Sequence, residues 1–172
     1  IWASDGLYYN SGGVAHSSAY NYRGNVMAAR IAEILGEDPA PYRKEADKIL
    51  KAMNSQLWMD DKGCWAEYKD LMGLQRLHKS PALWTVYTPI DSYACTPEQA
   101  YSATRYVDEN IPHIPIKIEG EESDFYTLST TNWMPYVWST NNVAQAEVMH
   151  TALAYFHAGR SDEAFRLMKG DL

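Results

Sequence analysis

Two stretches of this chain follow one pattern, and that recurrence limits the fold more than any other feature. ARIAEILGEDPAPYRKEADKIL, residues 29–50, and ALAYFHAGRSDEAFRLMKGDL, residues 152–172, each pass from an apolar helix end through a glycine and a short acidic link into a second helix with its own stripe. Paired helices that recur along a chain build either a solenoid or a closed helical ring. Two-helix solenoids use near-equal repeats of about 34 residues. Here the hairpins are separated by long, irregular, aromatic-rich connections. Such connections are functional or disordered, and this composition argues against disorder.

Read in order, residues 1–16 form a glycine-containing loop, and Ser17 or Ser18 caps a helix with Tyr20, Gly24, Met27, Ile31, Ile34 and Leu35 as its apolar and small stripe. Asp38 caps a second helix striped by Tyr42, Ala46, Ile49, Leu50, Met53 and Leu57. DDKG, residues 60–63, predicts a turn into a short strand over Cys64–Tyr68, and Pro81–Tyr87 predicts a short helix broken at Pro89. Thr96-Pro97-Glu98-Gln99 has the pattern of a capping box with proline at the first helical position. The prolines at 112 and 115 end that helix, and Lys117–Asp124 is expected to form an exposed hairpin or loop. The stretch YTLSTTNWMPYVWSTNN, residues 126–142, carries no charged residue and leads into a helix over about Asn142–His157, stopped at Gly159 and followed by a Ser161-capped helix.

Composition narrows the ligand class. The chain has 172 residues, the length of one domain, and 46% hydrophobic residues supply a core. A net charge of −7 with 15 scattered basic residues argues against nucleic acid and anionic membrane surfaces. No run reaches the roughly 18 apolar residues of a membrane span. Six Trp and 13 Tyr stand against three Phe, a bias toward flat apolar faces with a polar handle, which suits the stacking and hydrogen bonding of sugars as well as packing joints. Cys64 and Cys95 exclude a disulfide framework and leave a single bridge open. No spacing matches a zinc or calcium site, and no GxSxG, P-loop or GxGxxG is present. No cofactor or metal is expected.

The run AYNYRGNVMAARIAEILGED, followed by YRKEADKILKAMNSQLWMDDKGCWAEYKD, resembles the helix pair, turn and short strand of six-hairpin (α/α)6-toroid glycosidases. It looks most like the catalytic domains of α-L-rhamnosidases and of trehalase- and processing-α-glucosidase-type enzymes, bacterial members included. LGED, NSQLWMDDKG and the WxP-like NWMPYVWS carry the resemblance. It implies an all-α fold: helical hairpins forming about half of an (α/α)6 toroid, with short strands in the connecting loops. Residues 1–172, without an initiator Met and with a helical pattern running to Leu172, then read as a partial toroid domain cut at both ends. The remainder of the same polypeptide is an expected partner, beside carbohydrate. A periplasmic or extracellular location follows from the resemblance alone. Helices starting at Ser17, Pro81 and Asn142 are expected to be inner and those at Pro41, Pro97 and Asp162 outer. The site would lie at the mouth fed by residues 8–16, 65–80 and 127–142.

The resemblance also implies hydrolysis of neutral glycans, mostly with inversion, by a fragment not expected to act alone. Glycoside hydrolysis needs one carboxyl group to protonate the leaving oxygen and another to activate water or attack. Glu67 and Asp70, in WAEYKDLMGLQRLH, are the mouth carboxylates set among aromatic and basic residues. Glu67, beside Trp65 and Tyr68, is expected to be the acid, its pKa raised by desolvation. Asp91 or Asp5 is the candidate base, each with a turn or cap role as the plainer alternative. Trp65, Arg76, His78, Trp84, Trp133, Trp138 and His16 are the candidate sugar contacts, with Trp133 or Trp138 placed to stack and the two histidines open to sugar binding or a local hydrogen bond. His113 and His157 are expected to be structural. Glu147, one turn into an inner helix, either faces the central cavity or pairs with His150 or Arg23, and a structural hydrogen bond is the expectation. A sugar epimerase, marked by paired cavity histidines among His16, His78 and His150, and a helical-repeat interaction module are the other readings.

Overall fold

A computed structural model describes residues 12–117, 119–120, 124–134 and 140–172. In chain order the elements are β1 (Gly13–Val14), α1 (Ala15–Leu35), α2 (Ala40–Gln56), β2 (Trp58–Met59), β3 (Cys64–Trp65), β4 (Tyr68–Lys69), β5 (Leu77–His78), α3 (Leu83–Asp91), α4 (Pro97–Asn110), β6 (His113–Pro115), β7 (Tyr126–Leu128), α5 (Gln145–His157) and α6 (Ser161–Asp171). The helices form the hairpins α1/α2, α3/α4 and α5/α6, and α3 packs between α1 and α5. The odd-numbered helices make one row flanked by their even-numbered partners, matching the expected inner and outer alternation.

Short antiparallel strands fix the connections. β4 pairs with β1 through Val14↔Tyr68 and with β5 through Tyr68↔His78. The turn at 60–63 joins β2 to β3, where Trp58 faces Trp65. His113↔Leu128 begins the β6–β7 ladder, and the Ile116 N–H extends it by donating to Phe125 O at 3.0 Å. This ladder joins the two segments that flank the charged excursion, part of which lies outside the described residues. Two glycines are required by close approach. A Cβ on Gly12, which has φ +92°, would lie 2.1 Å from Lys69 O, and one on Gly170 would lie 2.2 Å from Tyr126 O. The first lets β1 meet β4, and the second lets α6 meet β7.

Three expectations are corrected, and the open question of a bridge is answered. α1 begins at Ala15 rather than beyond Ser17, because β1 delivers the chain to Glu67 O, which accepts the Ala15 N–H at 3.2 Å. Pro89 lies inside α3: the helix runs to Asp91, and the Ser92 N–H still reaches Thr88 O at 2.9 Å. Proline removes one donor near the end of a nine-residue helix, where few i→i−4 bonds remain to be lost. Cys64 and Cys95 are free, and burial raises their thiols to about 12 and about 11. The third correction concerns packing. The predicted stripe of α1 is exposed, Ile34 at 83% and Ile31 at 56%, while Ala15, Ala19, Ala29 and Ala32 are buried. Small side chains let α1 approach α2 and α3 closely, and the bulky ones face away from both.

The core gathers Met53, Leu57, Trp65, Leu83, Trp84, Val107, Leu128, Val148, Tyr155 and Leu167 from every hairpin. The capping box of α4 forms as expected, with Gln99 N donating to Thr96 Oγ1 at 3.2 Å and Thr96 N to Gln99 Oε1 at 3.1 Å. One ionic joint ties α4 to the α5/α6 turn. Asp108 accepts the Tyr155 hydroxyl and the Arg160 guanidinium, each at 2.6 Å, and the guanidinium lies 4.7 Å from the Tyr155 ring centre. Arg160 is 6% exposed. Removing its main counter-ion leaves a buried cation with only the longer Glu163 contact at 3.2 Å. Asp108→Ala is expected to destabilise the fold by about 3 kcal/mol, read as a lower urea midpoint with an unchanged m-value.

Candidate functional site

The N-terminal ends of α1, α3 and α5 are joined by hydrogen bonds between the loops that feed them, and Glu67 is the node. Its carbonyl accepts the first N–H of α1, and its own N–H donates to His78 O at 2.9 Å. Its side chain crosses to the start of α3. There the carboxylate accepts the Ala82 N–H at 3.2 Å, the Trp84 indole N–H at 2.7 Å and the Thr85 hydroxyl. Ala82 has no side-chain acceptor for this helix start, and Glu67 supplies one from 15 residues away. The third loop joins through Leu83 N–H to Thr130 O at 3.0 Å and Thr130 N–H to Asn142 O at 2.7 Å. Ser129, Thr130 and Thr131 are buried, so the uncharged stretch works as a polar seam between two helix starts.

Below this mouth, one face of α3 holds a partner from each neighbour. Trp84, Tyr87, Thr88 and Asp91 stand at i, i+3, i+4 and i+7. Trp84 binds Glu67. The Tyr87 hydroxyl donates to Glu147 Oε2, in the first turn of α5, at 2.7 Å. Thr88 Oγ1 lies 2.8 Å from His16 Nδ1 of α1, and Asp91 pairs with Arg23 of α1 at 2.7 Å. The Tyr20 ring meets His16 edge-on at 4.9 Å, and the His150 ring lies 4.9 Å from that of Tyr87.

Burial sets the charges. Desolvation raises the pKa of Glu67, opposed by its bonds from Thr85, Trp84 and Ala82, and the negative charge of Glu147 raises it further. Glu147 is raised by desolvation too, opposed by the Tyr87 hydroxyl and by the positive field of His150. His16 is lowered by burial, against a bond with the Trp84 backbone.

A cavity of about 180 Å³ opens beside Glu67, lined by Tyr68, His78, Lys79, Ser80 and Trp133. Trp133 donates its indole N–H to Ser80 O at 2.9 Å and meets Trp84 edge-on at 5.8 Å. His78 stacks on Tyr68 at 3.8 Å. Glu67, His78, Trp84 and Trp133 of the sequence-derived set thus come together. Asp70 does not share this cavity. It bonds His78 Nε2 at 3.1 Å but lines a separate space of about 340 Å³ between α1, α2 and β4, with Lys69, Met53 and Leu57. Asp91 closes α3 at the end opposite Glu67, about 12 Å along the axis, in an ion pair with Arg23. Arg76 is exposed.

Trp65 is fully buried and packs edge-on against Trp58 at 4.9 Å, so it has no face to offer a sugar; its role is core packing. Glu147 bonds Tyr87, and Arg23 is taken by Asp91. Of the other candidates, Trp138 and Asp5 lie outside the described residues. Among the described residues no three His, Cys, Asp or Glu side chains are grouped to hold a metal ion, and no helix is long and apolar enough to cross a membrane.

The row of paired helices, with short strands in the connections, has a counterpart among solved structures. The GH63 mannosylglycerate hydrolase from Thermus thermophilus, solved in complex with Tris, shares it with a TM-score of 0.64 at 15% identity. The match covers 91% of this chain and 36% of that one, so the chain spans about a third of that structure's length. At this identity the likeness carries the fold. No family model matches the chain, and no curated protein does.

The lowered pKa of His16 makes folding resist its protonation. With the unfolded histidine near pH ~6.5, stability is full above that pH and falls as pH drops toward the lower folded value. Urea midpoints measured between pH 7.5 and 5 are expected to show this loss, and His16→Asn, which keeps a polar partner for Thr88, is expected to flatten that segment of the profile.

Proposed function

We propose that this chain contributes an active-site half to a glycoside hydrolase acting on neutral glycans, with Glu67 as the general acid. One observation carries the reading: the Glu67 carboxyl, with its pKa raised by burial, borders the cavity that also holds the Trp133 ring and His78. A carboxyl whose pKa is raised by burial is suited to donating its proton to a leaving glycosidic oxygen. Trp84 and Thr85 fix its direction, and the Thr85 hydroxyl can turn to accept when Glu67 is protonated. Trp133, partly exposed and anchored through Ser80, offers an apolar face for a pyranose ring. The net charge of −7 suits a neutral substrate, and the shared glycosidase fold supports the reaction class. Inversion is the stereochemical course adopted here. The epimerase reading asks for two histidines facing one cavity, whereas His16 is engaged with Thr88 and His78 with Asp70.

The test is a panel of aryl glycosides turned over by the complete polypeptide and by Glu67→Gln and Asp70→Asn. Glu67→Gln is expected to lose about 10²–10⁴-fold in kcat on p-nitrophenyl glycosides and much less on 2,4-dinitrophenyl glycosides, whose leaving group needs no proton. Asp70→Asn is expected to stay near the unaltered rate. Full activity of Glu67→Gln on the poorer leaving group removes the assignment, and no turnover of any glycoside by the unaltered polypeptide removes the hydrolase reading.

A further inference from the structure

Resting on the hydrolase reading, we propose that Glu147 is the second carboxylate of this site, the base that takes a proton from the attacking water, with Tyr87 as its positioning residue.

Three observations converge on it. The first is placement. Trp84 and Tyr87 stand three positions apart on one face of α3, a rise of about 4.5 Å, and each holds one glutamate, Glu67 by the indole N–H at 2.7 Å and Glu147 by the phenol at 2.7 Å. The two carboxyls are therefore brought to neighbouring points of one face by rigid aromatic side chains, close enough for their charges to repel. An inverting pair asks for two carboxyls that do not touch, about 6.5–9.5 Å apart, with a water between them, and here each carboxyl is held by its own aromatic side chain.

The second is access. Glu147 is only partly buried and His150, one turn further along α5, is exposed, whereas Glu67 is 2% exposed. A base must meet solvent water, and an acid needs only the leaving oxygen, so the more open carboxyl is the one suited to the base.

The third is proton order. The groups facing Glu147 are Tyr87, His150 and Glu67, and the first two favour its ionised form. Glu67 carries the extra repulsion of the Glu147 charge. The deeper carboxyl is the one whose charge a second carboxyl opposes, and the shallower one has a phenol and an imidazole that favour its charge, the asymmetry that an acid and a base require.

In the step, the water oxygen bonds to the anomeric carbon as the glycosidic C–O bond breaks. The electron pair of that bond stays with the leaving oxygen, which takes the proton of Glu67, and the proton of the water passes to Glu147. Exchange with solvent then returns both groups to their starting states. No oxidant or reductant is needed.

The experiment uses the complete polypeptide and 2,4-dinitrophenyl glycosides, so that loss of the acid is bypassed. Glu147→Ala is expected to lose about 10²–10⁴-fold in kcat even on this activated substrate. Sodium azide is expected to restore release of the phenol and to yield a glycosyl azide of inverted anomeric configuration. Azide is not expected to restore Glu67→Gln on p-nitrophenyl glycosides. Tyr87→Phe keeps the carboxylate but removes the bond that favours its charge, and is expected to move the acidic limb of the kcat/KM profile to higher pH. Should Glu147→Ala fail to fold, Glu147→Gln and Tyr87→Phe carry the test through their kcat and pH profile. Turnover that survives Glu147→Gln overturns the assignment alone and leaves the hydrolase reading standing. A folded, inactive Glu147→Ala that azide does not restore also overturns it. No turnover by the unaltered polypeptide overturns the hydrolase reading and this assignment together.

Discussion

A carboxyl group buried where the helix starts meet is the constraint from which the rest of this structure follows. Taking so polar a group out of water is tolerable only when partners replace the lost hydration. Glu67 meets that demand by accepting from Ala82, Trp84 and Thr85 while its own backbone serves α1 and β5. One residue thus stands in for the cap that α3 lacks and sets where α1 begins. Replacing it by an apolar residue would remove the 2.7 Å acceptor of the Trp84 indole and leave the Ala82 amide with only the longer contact to Thr85 Oγ1 at 3.3 Å, and a buried donor that loses its acceptor costs about 1–3 kcal/mol. Fold and candidate chemistry draw on the same atoms.

The stripe of α3 explains how so short a helix organises its neighbours. With nine residues and a proline near its end, α3 has little helical stability of its own. Leu83 to Ile90 are all buried, so it persists by packing. Trp84, Tyr87, Thr88 and Asp91 each reach a different partner, on a strand connection, on α5 and twice on α1. The helix serves as a keel to which both flanking inner helices are pinned through polar contacts, while the opposite side packs into the core.

Local chemistry made much of this legible in advance. The Thr96 capping box, the turn at 60–63 and the recurring hairpins are short-range patterns, and all stand where their residue types put them. Glu67 stood out as a candidate because a carboxyl among aromatics implies desolvation, whereas Trp84, expected to meet a sugar, is buried with its indole on Glu67. The errors have a common origin in long-range packing. A stripe such as Tyr20 to Leu35 says which face of a helix is apolar but not which neighbour covers it, and here the alanines meet α2 and α3 instead. Trp65 and Trp133 are alike in composition, yet one is sealed in the core and the other borders a cavity. The Tyr87–Glu147 bond joins residues 60 apart, and no local spacing encodes it.

The location of both glutamates at helix starts raises a competition that magnitudes decide. The positive end of a helix favours a nearby ionised carboxylate by roughly 0.3–1 kcal/mol, and up to about 2 when partly buried. Glu67 lies at the start of α3 and Glu147 in the first turn of α5, so both receive this help. Full burial moves a carboxyl by as much as about 3–5 pKa units, or about 4–7 kcal/mol at roughly 1.36 kcal/mol per unit. Desolvation is therefore the larger effect, in agreement with the upward direction of both groups. At each carboxyl the helix end and the hydrogen bonds oppose that rise without cancelling it. A fold that converges helix starts on one mouth thereby buries two carboxyls and supplies each with a donor from the same face of α3.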